Sequence, residues 1–356
     1  MVGKGRGLGP LFFDISHPVQ ALMLRPVIEA LRSEGFAARV FARDKDVTLG
    51  LLEGFGIKAS TLAKRRRGLV GAAVELVTRE ARLLRLALAE RPAAIIGTSV
   101  HAARVGRLSG ALSVVINDDD AAAVPLFARL AYPLADLIVK PACLDFENHP
   151  RQVTYRGNQQ LFYLHPARFQ PDPAIRSELG LGATEPFGVV RLSALDAHHD
   201  TGVRGIGRSL LQTIGNQLPE DLVVFASLEK AQDLPGRWRL MRLPPERLHH
   251  ALAAAEFFIG DGQTMTAEAA VLGTPALRLN DFVGRISYLK ELENYGLAFG
   301  FPPGDEPLLL ARLAEILNGH RPRTQFIEAR ARFLSDMVDP LPWLVDLVLS
   351  RLRPHA

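Results

Sequence analysis

Short apolar runs alternate with segments of helical periodicity along most of the chain. In the first half, the runs that predict strands are PLFFDI (10–15), ARVFAR (38–43), AAIIGTS (93–99), LSVVIND (112–118) and LADLIVKP (134–141). Helical spacing predicts helices over 21–35, 46–56, about 69–90 and 101–110. Strands that alternate with helices of this kind indicate a parallel sheet covered by helices on both faces.

The second half of the chain repeats this alternation. Its predicted strands are 187–193, 222–228, 238–243, 256–261, 275–280 and 297–301. A stretch rich in proline and turn-forming residues precedes them, and we place the linker at about 160–173. The pattern therefore predicts an α/β protein with two doubly wound, Rossmann-like domains facing a cleft. We expect these domains at residues 1–165 and 166–330, followed by a terminal helical segment at 331–356.

Composition narrows the function classes. The chain has 356 residues and a net charge of +4, which suits anionic small molecules, an anionic membrane surface or nucleic acid. We expect no nucleic-acid partner, because aromatic residues make up only 7% and no recognised nucleic-acid module is present. The single cysteine, Cys143, excludes an internal disulfide framework and a cysteine-based zinc site, and it favours a cytoplasmic location. No apolar run is long enough for a spanning helix, and the N-terminal run is too short for a signal peptide.

Candidate chemistry is expected in the loops that follow strands, because open α/β sheets bind ligands outside the carboxyl ends of their strands. The most informative loop is IGDGQTMTAEAAVLGTPAL, residues 259–277. Gly260 and Gly262 would let the backbone turn and approach a ligand closely. The amides of Gln263, Thr264 and Met265 would form a helix N-terminus that can bind phosphate.

Glu268 lies roughly one turn into the same predicted helix. Its carboxylate would repel a phosphate but would accept hydrogen bonds from the two hydroxyls of a ribose. The alternative is an ordinary capped strand–turn–helix, in which Glu268 only interacts favourably with the helix dipole.

The loop VVRLSALDAHHD adds a second group of candidates in the C-terminal half. Arg191 provides a positive charge at a strand end, suited to a phosphate. His198 and His199 follow it, and the alternative for all three is a solvated loop with an interdomain salt bridge. The two adjacent histidines lack a third ligand in regular register, so we predict no metal site.

Three loops of the N-terminal half carry further candidates. FFDISHPVQ places Ser16, His17 and Gln20 after the first strand, where Gln20 would bond a sugar hydroxyl. His17 would act as a general base or, alternatively, cap the next helix or contact the other domain. VVINDDDAA supplies Asp118 and Asp119 for acid–base chemistry or sugar recognition or, alternatively, for capping the following helix, while Asp120 is assigned to capping. GTSVHAA supplies Ser99 and His101, which would bind hydroxyls or phosphate, or cap the next helix.

These segments resemble known proteins. DGQTMTAEAAVLGTPAL resembles the nucleotide-binding segment of GT-B sugar-nucleotide enzymes, notably the hydrolysing UDP-N-acetylglucosamine 2-epimerases and the MurG-type glycosyltransferases. The N-terminal stretch from FFDISHPVQ to LLEGFGI, with NDDD, YRGNQQLFYLHP and VVRLSALDAHHD, resembles DUF354, a GT-B family often linked to surface polysaccharide. The resemblance covers most of residues 10–300.

The resemblance implies a division of labour between the halves. The C-terminal half would bind the nucleotide diphosphate, with Glu268 on the ribose and the 191–199 loop on the diphosphate, and the N-terminal half would meet the acceptor. It also implies that the last helix crosses back onto the first domain. Gln263 departs from the pattern, since relatives commonly carry a glycine there. Its side chain would narrow the approach to the diphosphate or donate its own amide hydrogen bond.

The resulting hypothesis is a metal-independent GT-B glycosyltransferase that uses a UDP-sugar, without a cofactor, in cell-surface glycan assembly. The alternatives are a UDP-sugar 2-epimerase-like enzyme and a non-catalytic sugar-nucleotide or glycan binding protein on the same scaffold. The basic run at residues 64–67 is typical of a solvated face. Alternatively, it docks the protein on an anionic bilayer at the inner face of the plasma membrane, where a lipid-linked acceptor would be found. The oligomeric state is left open.

Overall fold

The computed structural model describes residues 9–43, 47–64, 68–144, 149–193, 205–229 and 233–353. The chain forms two compact domains. The N-terminal domain comprises residues 1–163 together with 338–356, and the C-terminal domain comprises residues 164–337. The sequence pattern placed the corresponding boundaries at 165/166 and 330/331.

The N-terminal domain contains a seven-stranded parallel sheet in the order β3-β2-β1-β4-β5-β6-β7. Its strands are β1 (Leu11–Ile15), β2 (Ala38–Ala42), β3 (Ala59–Thr61), β4 (Ala94–Gly97), β5 (Leu112–Ile116), β6 (Leu137–Pro141) and β7 (Gln152–Tyr155). The strand order reverses between β1 and β4. This reversal is the topological switch point at which doubly wound sheets bind ligands.

Helices cover both faces of this sheet. Its helices are α1 (Pro18–Ser33), α2 (Thr48–Gly54), α3 (Gly68–Glu90), α4 (Val100–Ser109), α5 (Pro125–Ala131), α6 (Leu161–Leu164) and α14 (Pro340–Leu352). Alternate residues of the buried strands point to opposite faces, which divides the core in two. Phe13 packs in a cluster with α1, α2 and α14, whereas Phe12 packs in a cluster with α3, α4 and α5.

The C-terminal domain contains a six-stranded parallel sheet in the order β10-β9-β8-β11-β12-β13. Its strands are β8 (Phe187–Leu192), β9 (Val223–Leu228), β10 (Arg239–Leu240), β11 (Phe258–Gly260), β12 (Ala276–Leu279) and β13 (Ala298–Phe301). Its helices are α7 (Ile175–Glu178), α8 (Arg208–Gln217), α9 (Leu248–Ala254), α10 (Gln263–Val271), α11 (Ser287–Asn294), α12 (Glu306–Leu317) and α13 (Arg323–Asp336). The switch point of this sheet lies between β8 and β11.

The prediction of two Rossmann-like parallel-sheet domains is confirmed. The chain ends in the N-terminal domain, where Leu344 and Val348 of α14 are buried in the cluster that contains α1. Two strands, β3 and β7, were not predicted, and β10 is much shorter than the predicted 238–243. Within the described residues, no helix combines the length and hydropathy needed to cross a bilayer.

Candidate functional site

The switch point of the C-terminal domain is held together by Asp261, the residue that directly follows β11. Its buried side chain accepts a hydrogen bond from the Ser193 amide, 2.8 Å from Oδ1, at the end of β8. Its carbonyl accepts a hydrogen bond from Asn280 Nδ2 at 2.6 Å, beyond the end of β12. Burial raises the pKa of Asp261. Asp261 therefore fixes three strand ends around the start of α10.

Helix α10 begins at this point without a side-chain cap among the described residues. Gly262 is the N-cap residue, and the side chains and backbones of Gln263, Thr264 and Met265 form a partly exposed first turn. The first amides of an α-helix have no intrahelical acceptor, so these three N–H groups point out of the helix end. The Thr266 hydroxyl donates to the Gly262 carbonyl at 2.6 Å and so stabilises the first turn from within.

The backbone turn, one reason that the sequence suggested for the two glycines of this loop, requires glycine at neither position. Gly262 has φ −96° and ψ 150°, an extended conformation open to any residue, and a Cβ there would meet only the Ser193 hydroxyl at 3.3 Å. Gly260 lies within β11, where a Cβ would come within 2.7 Å of the Phe258 ring. Close packing, and not the turn, therefore requires glycine at residue 260.

Arg191 lies on β8 beside this helix start, but its charge is already paired. Its Nη2 donates to Glu229 Oε1 at 2.6 Å and its Nη1 donates to Ser227 Oγ at 2.8 Å. The predicted salt bridge between domains is thus a salt bridge within the C-terminal domain. A phosphate that binds Arg191 has to compete with the Glu229 carboxylate, or bind with both groups in place.

Glu268 is buried on the second turn of α10. Its Oε1 lies 3.1 Å from His249 Nε2, on the buried side of α9. The structure therefore gives Glu268 a partner inside the domain, and the predicted contact with a ribose stays a prediction. His198 and His199 lie outside the described residues.

The switch point of the N-terminal domain contains a buried charge pair. Asp14, at the end of β1, accepts hydrogen bonds from Arg79 of α3 and from the Ser99 hydroxyl. Arg79 also donates to the Ile15 carbonyl at 3.1 Å. Asp14 and Arg79 are almost fully buried, so each charge depends on the other.

Several predicted ligand contacts in this domain are helix caps or internal pairs. Ser99 is the N-cap of α4, where its hydroxyl accepts from the Ala102 amide at 3.2 Å. His101 is buried, and its Nδ1 lies 3.2 Å from Glu80 Oε2. For these two residues the structure supports capping and packing in place of the predicted ligand contacts.

The loop after β1 forms a capping box at the start of α1. His17 Nδ1 accepts from the Val19 amide at 3.4 Å, and Gln20 Oε1 accepts from the amides of Ser16 at 2.7 Å and His17 at 3.1 Å. The structure thus shows the helix cap that was the alternative for His17, and its role as a general base stays a prediction. Gln20 Oε1 is likewise engaged by the backbone, and its predicted bond to a sugar hydroxyl stays a prediction.

The strongest acid–base candidate lies at the carboxyl ends of β5 and β6. Burial, followed by the charge of Asp119, raises the pKa of Asp118 to about 8. Asp118 and Asp119 are both partly exposed, so a ligand can reach them. At neutral pH Asp118 is therefore a protonated acid that keeps an accessible surface. The sequence-based expectation that neighbouring carboxylates raise the pKa agrees with this shift, and the catalytic role of Asp118 stays a prediction.

Residues that the sequence did not single out complete this cluster. Lys140 of β6 is fully buried, and its ammonium group donates to the Tyr132 hydroxyl at 3.1 Å. Asn117 Nδ2 donates to the same hydroxyl at 2.8 Å. Burial lowers the pKa of Lys140 to about 8 despite the opposing charges of Asp118, Asp119 and Asp120. The cluster thus holds two groups that change protonation close to physiological pH.

Other parts of the described chain offer less chemistry. The described residues contain no group of three or more His, Cys, Asp or Glu placed to hold a metal ion. Two surface hollows of about 420 Å³ each lie in the C-terminal domain. One is lined by α8 and Trp238, and the other by α8 and α12. Neither includes a predicted site residue, so we base the site on the strand ends.

We compared the chain with known protein families, curated proteins and solved structures. A family model described as "Protein of unknown function (DUF354)" matches residues 10–281. No curated protein matches the chain.

Solved structures share the fold at low sequence identity. The spinosyn rhamnosyltransferase SpnG complexed with spinosyn aglycone superposes with a TM-score of 0.66 at 17% identity, over 96% of this chain and 100% of its own. A putative UDP-N-acetylglucosamine 2-epimerase from Listeria monocytogenes gives a TM-score of 0.70 at 12% identity, over 98% of each chain. The MnaA–UDP co-structure from S. aureus gives 0.66 at 12% identity, over 97% of this chain and 96% of its own. At these identities the likeness establishes the fold.

Proposed function

The chain belongs to the DUF354 family, and we propose that it is a GT-B glycosyltransferase that takes a nucleotide-diphosphate sugar, most simply a UDP-sugar, as donor. The acceptor would be a growing cell-surface glycan. The observation that carries this proposal is the uncapped start of α10 at the switch point of the C-terminal sheet. The likeness of the whole chain in fold to a protein solved with UDP and to glycosyltransferases supports a sugar-nucleotide substrate.

The donor diphosphate would bind at the first turn of α10. The amides of Gln263, Thr264 and Met265 would donate to its oxygens, and the positive end of the helix dipole would favour its negative charge. Arg191 would add a cation after exchanging its contact with Glu229. These groups would stabilise the charge that builds on the departing diphosphate, which is the main electrostatic demand of glycosyl transfer.

The acceptor would bind at the cluster in the N-terminal domain. Asp119 is the better candidate for the base that removes the acceptor proton, because Asp118 is protonated at neutral pH. A protonated Asp118 would donate a hydrogen bond to a sugar hydroxyl. Lys140 and Tyr132 would act as positioning residues, through their contacts within the cluster.

A 2-epimerase-like reaction is the second candidate, and one observation favours it. Asp118, with its raised pKa, is a candidate acid at neutral pH, and its neighbour Asp119 is a candidate base. Removal and return of a proton at a sugar carbon would require such a pair. Release of a free 2-epimerised sugar without an acceptor would support this reading. Release of UDP that depends on an acceptor would support transfer.

The donor site can be tested by removing a single amide. Gln263→Pro deletes the N–H at the first helical position, where proline is well tolerated. The extended conformation of Gly262 also suits a residue before proline. Gln263→Ala is the matched control, since it removes the side chain but keeps the amide.

We expect Gln263→Pro to weaken UDP binding about 10-fold or more, which corresponds to the loss of one charge-assisted hydrogen bond. Isothermal titration gives the affinity, and a melting curve without ligand checks the fold. Wild-type UDP affinity in both Gln263→Pro and Gln263→Ala, with both folded, would refute the proposed diphosphate site. A loss shared by both variants would instead assign the contact to the Gln263 side chain.

A further inference from the structure

The first half of α3 buries charged side chains and exposes apolar ones, the reverse of the usual arrangement. Its charged residues face inward, where Glu75 pairs with Arg43 and Arg79 pairs with Asp14. Its valines face outward at a spacing of four and three residues. Val70, Val74 and Val77 are 79%, 39% and 67% exposed, and we call these three residues the outer stripe. A helix of a water-soluble domain normally buries such a stripe.

The outer stripe lies at the carboxyl edge of the N-terminal sheet. Arg79 bonds the carbonyl of Ile15 at the end of β1, and Glu75 bonds Arg43, just beyond the end of β2. The helix starts at Gly68, so its first three turns extend about 16 Å along the axis beyond the level of Arg79. This segment therefore projects past the edge that carries Asp118 and Asp119.

Exposed apolar side chains concentrate on the helices of this face. Among the described residues, more than half of the exposed large hydrophobic side chains belong to α3, α4 and α5, which cover one face of the N-terminal sheet. They are Val70, Val74, Leu76, Val77, Leu88, Leu108, Leu126 and Leu130. Scattered single apolar residues are normal on a surface, but a concentration on one face marks an interaction surface.

The charges on these helices select the kind of partner. The three glutamates of α3 are held within the domain, where Glu75, Glu80 and Glu90 pair with Arg43, Arg104 and Arg39 respectively. The exposed charges that remain on the three helices are arginines, including Arg85, Arg107 and Arg129. The basic run at 64–67 directly precedes α3 in the sequence. An apolar stripe on a helix whose remaining exposed charges are arginines is complementary to an anionic lipid surface.

We propose that the outer stripe of α3 docks the N-terminal domain on an anionic lipid bilayer, with the helix lying in the interface. The valines of the outer stripe would lie in the headgroup region, and the arginines would contact the anionic headgroups. This docking would bring the carboxyl edge of the sheet, with Asp118 and Asp119, close to a membrane-held acceptor. The inference stands independently of which sugar-nucleotide reaction the protein catalyses.

Vesicle sedimentation tests the proposal directly. The purified full-length protein is spun with vesicles of phosphatidylcholine alone and with vesicles that also contain phosphatidylglycerol. We expect it to sediment with the anionic vesicles, and less so as salt is raised. The variant Val70→Asp/Val77→Asp should bind the anionic vesicles about 10-fold more weakly or worse. Both residues are exposed, so its melting temperature should match that of the wild type.

A matched variant in the C-terminal domain provides the control. Leu308→Asp/Ile327→Asp changes two residues that are 58% and 57% exposed, and it should bind vesicles like the wild type. Val77→Trp should show a blue-shifted emission on anionic vesicles, whereas Leu308→Trp should not. Both readouts are independent of UDP binding, so failure here is distinguishable from failure of the proposed function.

Three outcomes would overturn the proposal. Failure of the wild-type protein to sediment with anionic vesicles would exclude a bilayer as the partner. Equal vesicle binding by Val70→Asp/Val77→Asp and the wild type would move the contact away from the outer stripe. A wild-type dimer that becomes a monomer in this variant, with vesicle binding absent throughout, would show that a second copy of the chain covers α3.

Discussion

Replacing Asp118 by asparagine is predicted to change how stability depends on pH. Burial and the charge of Asp119 raise the pKa of Asp118 from 3.8 to about 8. The unfolded chain releases this proton at about pH 4, whereas the folded protein keeps it up to about pH 8. The folded state thus binds one more proton in this window, and the free energy of unfolding falls as the pH rises through it.

The size of the effect follows from the same shift. One extra bound proton changes the free energy of unfolding by about 1.4 kcal/mol per pH unit. From about pH 5 to about pH 7.5, the wild type should lose up to about 3 kcal/mol through Asp118. The interaction with Asp119 reduces this value, because the proton belongs to the coupled pair. The range ends below the pH at which Lys140, with its pKa lowered to about 8, adds its own effect.

Urea denaturation across this pH range is the assay. In a Trp238→Phe background the fluorescence of Trp343 reports the N-terminal domain, since Trp343 packs against Tyr155 there. Asp118→Asn should lose less stability than the wild type as the pH rises, whereas Asp346→Asn, at an exposed position on α14, should follow the wild type. Parallel dependence of unfolding free energy on pH in Asp118→Asn and the wild type would show that Asp118 does not bind the extra proton of the folded state.

Further substitutions test other contacts. Arg79→Met leaves the buried Asp14 without its cation and should cost about 3–5 kcal/mol of unfolding free energy, which Asp14→Asn in the same chain should partly restore in urea denaturation. Gly260→Ala should lower stability by about 1–3 kcal/mol through its clash with Phe258. Gly262→Ala should keep its melting temperature but bind UDP more weakly. Arg191→Ala should weaken UDP binding by titration calorimetry, and Glu229→Ala should not, because the carboxylate competes with phosphate. Equal stability of Gly260→Ala and Gly262→Ala would contradict the proposed clash with Phe258. Equal UDP affinity of Arg191→Ala and Glu229→Ala would contradict the proposed contact of Arg191 with the diphosphate.

The sequence predicted the fold well because most of its strands are buried. Continuous apolar runs such as the one in β1 arise when both faces of a parallel strand are covered. The missed strands β3 and β7 lie at the two edges of the N-terminal sheet. Their residues, AST and QVTY, are short and largely polar or partly exposed, so they give no apolar run.

The site was harder to predict because its contacts join distant parts of the chain. The loops at both switch points were found, since a strand end followed by a helix is visible locally. The sequence did not indicate that Arg191 pairs with Glu229 and Glu268 with His249, because each partner belongs to a different part of the fold. Lys140 was missed for the same reason: it lies within an apolar strand and its role depends on Tyr132 and the aspartates.

Reversed polarity in α3 was also hidden from the sequence. Helical periodicity alone does not tell which stripe faces the core, and the usual assumption buries the valines. Here the buried stripe begins with Glu75 and Arg79, because the partners Arg43 and Asp14 lie at the strand ends. The outward valines follow from this long-range pairing.

The first turn of α10 is the site proposed for the diphosphate of a sugar nucleotide. A crystal structure of the protein with UDP measures this most directly. We predict diphosphate oxygens within hydrogen-bond distance of the amides of Gln263, Thr264 and Met265. A nucleotide bound elsewhere, with this turn left unoccupied at saturating UDP, would refute the proposed diphosphate site.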